Sequence, residues 1–519
     1  MGATRVWRGG ASESEYSRRA LAWAAALIGI AATALAAIGS WIPSLWGDEA
    51  TSILSATRPL PSLLSMLMHV DAVHGLYYLG LRVWVDVFGP SAFSVRLPSA
   101  FAVGVCAAAV TWMCGRARSL RFAVLAGTIA VVLPRLTYAG EEARSFAFSA
   151  AFAAVLCAIV VEVSRRPSPS GRWWVWYAVV LSIGTWAFLY FMLMTLAVGA
   201  AVLLVPTLRP QWRRWLAASG AASVIAAPLL LLAATQTGQI AYLRVQTPVT
   251  VESVFVQMWF GSVWVAVIAW LLIIVAATAA VRALLRARTA DGERTPPLLE
   301  TLALCWLLIP MGLLLAVSPL LADFTSRYGT YAAPAAAILI AAGIRTVVHA
   351  LTARGASPAR RAVVGGVLIA VMLGVAAPAW ASQRTPYAKN ESDWNDIART
   401  ISTQAVRGDA IVFDDAARPS RRPRLAMNTA PAMFADVSDV TLKSPYPDNP
   451  TWHDTVYTVA QAAARGRFDG IDRVWVVEYK TEGITDTWGV KDLQQLGFHE
   501  TRHIDGHSSE ILLYERRIP

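Results

Sequence analysis

The chain has few charges, cysteines and histidines. Asp, Glu, Lys and Arg make up only 15% of its 519 residues, where an ordinary soluble domain carries about a quarter. Its four cysteines, Cys106, Cys114, Cys157 and Cys305, all lie in or at the edge of apolar runs, which argues against a disulfide framework and against a thiolate metal site. The seven histidines show no HExxH spacing. His69 and His74 flank Asp71, an arrangement read here as a polar loop rather than a metal site. P-loop, dinucleotide fingerprint and internal repeat are all absent, which argues against an ATP-driven pump and against an inverted-repeat transporter.

Apolar sequence is abundant. Hydrophobic residues make up 56% of the chain and the mean hydropathy is +0.48. A bilayer core of roughly 30 Å needs about 20 apolar residues per helix. Runs of that kind fall near 20–42, 93–115, 120–138, 143–163, 173–189, 190–206, 213–234, 262–284, 299–320, 329–348 and 361–381. The expectation is a polytopic α-helical membrane protein with about eleven spans, in which 173–206 forms a hairpin turning near Tyr190. Segment 74–88 carries Arg82 and Asp86 among apolar and aromatic residues and reads as an interfacial helix.

The net charge of +11 is a topology signal rather than a nucleic-acid footprint. Arginines 5, 8, 18 and 19, 116, 118 and 121, 165 and 166, 209, 213 and 214, 282, 286 and 288, and 354, 360 and 361 all fall on one side of the spans. By the positive-inside rule that side is cytoplasmic. The N-terminus is then inside the plasma membrane, and Asp48, Glu49, Glu141, Glu142 and the stretch Asp323–Tyr328 share the outer face. The first apolar run is read as an uncleaved anchor.

Character changes near Ser382. Residues 1–381 read as the membrane domain, with a large first outer loop at 43–92, and residues 382–519 as a small extracytoplasmic α/β domain. Buried strands are expected at 409–413, 473–478 and 510–514, and helices at 394–405 and 455–465. Arg418–Arg424 is basic, broken by proline, and reads as a solvated connector or a contact for anionic head groups.

Adjacent carboxylates at a membrane boundary suggest chemistry, and Trp46-Gly-Asp-Glu-Ala50 supplies them just beyond the first span. An enzyme on the outer face needs an activated donor carried by the membrane, such as a polyprenyl-phosphate sugar. A sugar hydroxyl requires a base as it attacks the anomeric carbon, and the departing phosphate requires cations or hydrogen-bond donors. Asp48 or Glu49 could be that base. Arg327 beside Tyr328 could hold the phosphate, and Arg144 could either reach a ligand or pair with Glu141 or Glu142.

Taken in order, several motifs resemble one family: Trp46-Gly-Asp-Glu-Ala50, Asp71-Ala-Val-His-Gly-Leu-Tyr-Tyr78, Phe88-Gly-Pro-Ser91, Val95-Arg-Leu-Pro-Ser99, Glu142-Ala-Arg-Ser145 and Arg327-Tyr-Gly-Thr-Tyr-Ala-Ala-Pro334. Over roughly residues 20–385 the chain is similar to C-type membrane glycosyltransferases (GT-C fold) of the protein O-mannosyltransferase-like group. The resemblance implies a polyprenyl-phosphate-sugar donor, inversion at the anomeric carbon, Asp48 as base and Glu49 in support. Arg327, Tyr328 and Arg144 become the donor-phosphate residues, and Asp71, His74, Tyr77, Glu141, Glu142 and Arg96 further substrate-binding candidates. Relatives often carry His-Pro-Pro-Leu where this chain has His74-Gly-Leu76.

Composition and Leu133-Pro-Arg-Leu-Thr-Tyr-Ala-Gly140 look most like actinobacterial, including mycobacterial, members that transfer mannose from decaprenyl-phosphate mannose to lipoglycans or glycolipids. Arabinosyl transfer from the corresponding decaprenyl donor, and mannosyl transfer to protein, stand as alternatives. A flippase for a lipid-linked sugar is the alternative of a different class. No cofactor and no divalent metal is expected, because arginines can hold the phosphate.

Overall fold

The structure is a computed structural model and describes residues 10–166, 170–240, 249–289, 297–319, 324–352, 357–481 and 483–516. Asp323, Arg5, Arg8 and Arg354 lie outside the described residues. The chain divides into two compact units, one of Met1–Ile38 with Leu97–Trp380, the other of Gly39–Arg96 with Ala381–Pro519. The loop after the first helix therefore groups with the C-terminal segment, and the membrane helices stand as the other unit.

In the helical unit the long elements are α1 (Gly10–Ala37), α5 (Ala92–Ala117), α6 (Leu120–Val132), α7 (Pro134–Gly140), α8 (Phe146–Ser164), α9 (Arg172–Ala187), α10 (Met194–Leu204), α11 (Trp212–Thr235), α12 (Val263–Thr289), α13 (Leu298–Val317), α14 (Ala333–Leu351) and α15 (Pro358–Ser382). The loop contributes α2 (Gly47–Thr57), α3 (Leu60–His69) and α4 (Gly75–Phe88) to the other unit. Among the described residues eight helices are long and apolar enough to cross a membrane, or nine when the bent pair α6–α7 is one span. Eleven spans were expected. The difference lies in that pair and in 173–206, where α9 has only 16 residues, about 24 Å at 1.5 Å per residue. It ends at an extended Phe188, and a 3-10 turn, Leu189–Leu193, leads into α10.

The α6–α7 bend of 60° has a local cause. Pro134 restricts the residue before it to extended backbone, and Leu133 is extended, at φ −65° and ψ 116°. Close packing of α1 on α5 also follows from composition. A Cβ on Gly104 would sit 2.0 Å from the Thr33 hydroxyl and 2.8 Å from the Gly29 carbonyl oxygen, so only glycine permits that approach.

Ion pairs tie one end of these helices together. Arg116 binds Glu162 at 2.5 Å, Arg166 reaches the same carboxylate at 3.4 Å, and Arg118 meets Glu300 at 2.7 Å. The arginines of the 116–121 and 165–166 turns thus gather at one end of the helical unit.

The second unit contains a sheet in the order β2-β1-β5-β8-β7, from β1 (Asp409–Phe413), β2 (Val437–Asp439), β5 (Arg473–Thr481), β7 (Phe498–Asp505) and β8 (Ser509–Arg516). β1 runs parallel to β2 and β5, while β8 is antiparallel to β5 and β7. A short β6 (Ile484–Thr485) pairs with β5, and β3 (Leu442–Ser444) pairs with β4 (Thr455–Val456). Its helices are α16 (Trp394–Gln404), α17 (Arg424–Thr429), α18 (Val459–Ala463) and α19 (Val490–Gln495). The helix expected over 455–465 is confined to α18, because Thr458 caps it in a reciprocal pair with Gln461 and residues 455–456 are extended.

The 43–92 loop is knitted to the C-terminal segment. Arg58, buried, donates to the carbonyls of Tyr446 at 2.7 Å and Thr451 at 2.8 Å. Asp71 accepts from the Trp452 indole at 3.0 Å and the Tyr78 hydroxyl at 2.9 Å. The basic stretch 418–424 divides: Arg418, Pro419 and Ser420 are exposed, as a solvated connector would be, whereas Arg421 bonds the Tyr479 hydroxyl, Arg422 pairs with Asp415 at 2.8 Å, and buried Arg424 pairs with Asp439.

Candidate active site

Asp48 lies in the first turn of α2, where the helix dipole favours a carboxylate. The turn begins from an extended Trp46 at φ −134° and ψ 175°. Gly47 is required there because a Cβ would come within 2.4 Å of the Ser420 carbonyl oxygen. Asp48 is half-buried, whereas the neighbouring Glu49 is fully buried.

Glu49 is held by Arg96, whose Nε and one terminal nitrogen reach its two oxygens at 2.7 and 2.5 Å. The remaining guanidinium hydrogens go to the carbonyls of Ser40 at 2.5 Å, Pro43 at 2.9 Å and Ser44 at 3.1 Å. All five donors of a fully buried Arg96 are therefore engaged. Arg96, expected among the substrate-binding candidates, thus spends its donors on Glu49 and on the carbonyls of the 40–44 segment. The arginine also has a local device to keep its helix in place. Pro98 lies inside α5 and cannot bond the Ser94 carbonyl four residues back; the Trp84 indole donates to that carbonyl instead, at 2.9 Å.

Asp71 adopts left-handed backbone at φ 57° and is tied to Tyr78 and Trp452. His74 packs against Tyr78 with ring centroids 5.9 Å apart, and Tyr77 is buried. A small open cleft borders Trp46 and Gly47, lined also by Asn390, Arg421, Tyr479 and Ser508. Asn390 and Glu391 on its wall both hold left-handed backbone, at φ 56° and 60°. Non-glycine residues in that conformation concentrate at functional sites.

The helical unit carries a second polar group. Glu141, Glu142, Arg135 and Arg144 are buried at the α7–α8 junction, and Arg327 stands in the 3-10 turn Ser326–Ala332 that leads into α14. One Arg327 nitrogen lies 3.7 Å from a Glu142 oxygen. Arg135 Nε donates to the Thr330 hydroxyl at 3.1 Å, and that hydroxyl donates to the Arg327 carbonyl at 2.7 Å. Ser99, the last residue of the Val95–Ser99 motif, donates to the Arg144 carbonyl at 3.3 Å. Tyr328 belongs to an aromatic cluster, 5.0 Å from Tyr190 and 5.4 Å from Phe188.

Three guanidinium groups near two carboxylates leave an excess of one positive charge beside an aromatic wall. That combination suits an anion carried on an apolar chain. Arg135 is the residue that motif reading passed over. The signal was present, since an arginine inside the apolar run 120–138 is costly unless it has work to do.

No family model matches the chain. No curated protein matches it either. Among solved structures it resembles ArnT from Cupriavidus metallidurans in the apo state, with 13% identity, a TM-score of 0.55, and coverage of 94% of this chain and 97% of that one. The same protein bound to undecaprenyl phosphate gives 12%, 0.54, 94% and 97%. The archaeal oligosaccharyltransferase AglB from Archaeoglobus fulgidus, in complex with an inhibitory peptide and a dolichol-phosphate, gives 11%, 0.52, 97% and 74%. This chain is a multi-pass membrane protein with the GT-C fold that ArnT and AglB share.

Proposed function

We propose that this protein is an inverting glycosyltransferase that moves a sugar, mannose in the first instance, from a polyprenyl-phosphate donor to a hydroxyl of a cell-envelope glycolipid or lipoglycan. The observation that carries this reading is the contrast in burial between residues 48 and 49. Arg96 fully engages Glu49 while Asp48, one residue earlier on the same rigid turn, stays half-buried. The fold shared with ArnT and AglB, one solved with undecaprenyl phosphate and the other with a dolichol-phosphate, supports a lipid-phosphate donor.

In this reading Asp48 takes the proton of the acceptor hydroxyl as its oxygen attacks the anomeric carbon. The bond from that carbon to the phosphate oxygen breaks on the opposite face, and polyprenyl phosphate leaves as an anion. Arg327, with Arg135 and Arg144, binds the phosphate, and Tyr328 with its aromatic neighbours lines the path of the adjoining apolar chain. The cleft beside Trp46 and Gly47 receives the acceptor, which gives the C-terminal segment its role. Arginines can stabilise the leaving phosphate without a divalent ion, and transfer is expected to survive chelators. The clustered arginines at the other end of the helices are assigned to the cytoplasm, with the sugar-transfer chemistry outside. The mycobacterial-type donor, decaprenyl-phosphate mannose, follows from the motif resemblance.

The test is transfer of labelled mannose from decaprenyl-phosphate mannose to a lipid extract by purified protein. Wild type should make a labelled glycolipid, and a folded Asp48→Asn variant should lose about 10²–10⁴ in rate while still binding donor. Near-normal transfer by the variant would remove Asp48 as base. Movement of the donor across a bilayer without a new glycosidic bond would identify a flippase instead.

A further inference from the structure

The carboxyl end of β1 and the neighbouring part of β5 hold a group of acids that glycosyl transfer does not use. Phe413 pairs with Val477 in the parallel β1–β5 ladder, so Asp414, just past the end of β1, comes beside Glu478, which lies within β5 and pairs with Glu510 of β8. The turn after β6 brings in Asp486, whose backbone amide donates to the Tyr479 carbonyl at 3.0 Å. One carboxylate oxygen from each of Asp414, Glu478 and Asp486 lies within 4.8 Å of the other two. In sheets with parallel strands the carboxyl end is the one at which ligands bind.

An acidic cluster alone would be only a crowded corner, but Glu478 is different. Its residue exposure is 0%, and neither carboxylate oxygen has a hydrogen-bond partner. The Trp488 backbone amide approaches it without reaching hydrogen-bond geometry. Among the described residues no Arg, Lys or His pairs with any of the three carboxylates. Burial first, then Asp414 and Asp486, push the Glu478 carboxyl up to about 9, and burial raises Asp414 too. A buried, unpartnered carboxylate aimed at two others is a costly arrangement.

Asp414 is arranged to keep its place. One of its oxygens accepts from the backbone amides of Ala416 at 2.7 Å and Ala417 at 3.3 Å, and the other from Tyr479 at 3.3 Å. Asp486 is only partly buried and supplies the open side through which an ion and its waters would enter.

We propose that Asp414, Glu478 and Asp486 form a binding site for a hard divalent cation, calcium in particular, that fastens the turn after β6 to the carboxyl end of β1 and to the body of β5. Carboxylate oxygens suit calcium, which accepts about six to eight oxygen ligands in flexible geometry and takes up water beside the three acids. Magnesium demands near-ideal octahedral geometry and gives up its waters reluctantly. Binding displaces the proton that Glu478 otherwise retains, and water completes the shell on the Asp486 side. The site is structural and independent of the sugar-transfer reading.

The experiment uses full-length protein in detergent, stripped with EGTA and titrated with calcium chloride by calorimetry, with Tm measured in parallel. Wild type should bind one calcium ion in this unit and gain Tm; magnesium chloride should do less. Glu478→Gln keeps the shape of the protonated acid, so its stripped form should melt at or above the wild-type temperature while the calcium response disappears. Asp486→Asn, at a partly exposed position, should lose the response with its fold intact. Wild-type protein that neither binds nor gains Tm at millimolar calcium would overturn the proposal. So would both variants binding as wild type does.

Discussion

Arg96 grips Glu49 across 47 residues of sequence, through Nε and a terminal nitrogen at 2.7 and 2.5 Å, while holding three backbone carbonyls of the 40–44 segment. The pair fixes the turn on which Asp48 stands. Removing one partner of a buried ion pair costs about 3–5 kcal/mol. Arg96→Lys should be nearly as damaging as Arg96→Met, since one ammonium with three donors cannot cover five acceptor bonds in that geometry. Thermal melts in detergent measure this, and an unchanged Tm in Arg96→Lys would mean the carbonyls find other donors.

Gly47→Ala should lower sugar transfer more than it lowers Tm. The added methyl meets the Ser420 carbonyl oxygen at 2.4 Å, a backbone atom that cannot rotate away, so the start of α2 must shift. A displacement of an ångström at a base can cost about 10²-fold in rate. Ser420→Gly should fail to rescue it because the obstructing oxygen remains. Rescue would show the Ser420 side chain, 2.5 Å away, to be the obstacle.

Arg327→Lys should raise the apparent donor KM roughly tenfold with a smaller change in Tm, a loss of about 1.5 kcal/mol in phosphate binding. Its side chain is 23% exposed, and one of its nitrogens approaches a Glu142 oxygen at 3.7 Å. Tm measured beside KM separates lost phosphate binding from lost fold. Unaltered donor KM would transfer the phosphate role to Arg135 and Arg144.

His453 should make the C-terminal segment sensitive to acid. Burial, and secondarily Arg422, lower its pKa from 6.5 to about 3. Below pH 6.5 the unfolded chain gains a proton that the folded form refuses, so this contribution to stability is full above pH 6.5 and is lost as pH falls towards 3. His453→Gln should flatten the acid limb of Tm against pH. An equally steep limb in the variant would assign the acid sensitivity to other groups.

The helical character of the membrane unit was readable because length and apolarity are strong local signals; every one of the eleven apolar runs contains helix. The number long enough to span was less readable, since Pro134 bends one run and the 173–206 run breaks at Phe188. Strands β1, β5 and β8 were visible as apolar runs. β7, with His499, Glu500, Arg502, His503 and Asp505, was concealed by its polar face. At the site, Asp48 and Glu49 stood out as a pair, but the burial of Glu49 against Arg96 was not legible, because Arg96 is far away in sequence. The inward turn of Arg421 and Arg424 was hidden for a similar reason: their partners Tyr479 and Asp439 come from distant strands.

The unit that holds Asp48 is discontinuous, with the 284 residues Leu97–Trp380 between its two pieces. Ser44 donates its amide to the Pro386 carbonyl at 2.9 Å, and the Ser392 hydroxyl donates to the Leu45 carbonyl at 2.6 Å. A ribosome adding about 5–20 residues per second takes roughly 14–57 s to cover that interval. Throughout it the Asp48 turn waits outside any finished structure, so the proposed base is set in place only after the last membrane helix has been made. A nascent chain released early would hold its helices yet leave its acidic turn unformed and open to proteases.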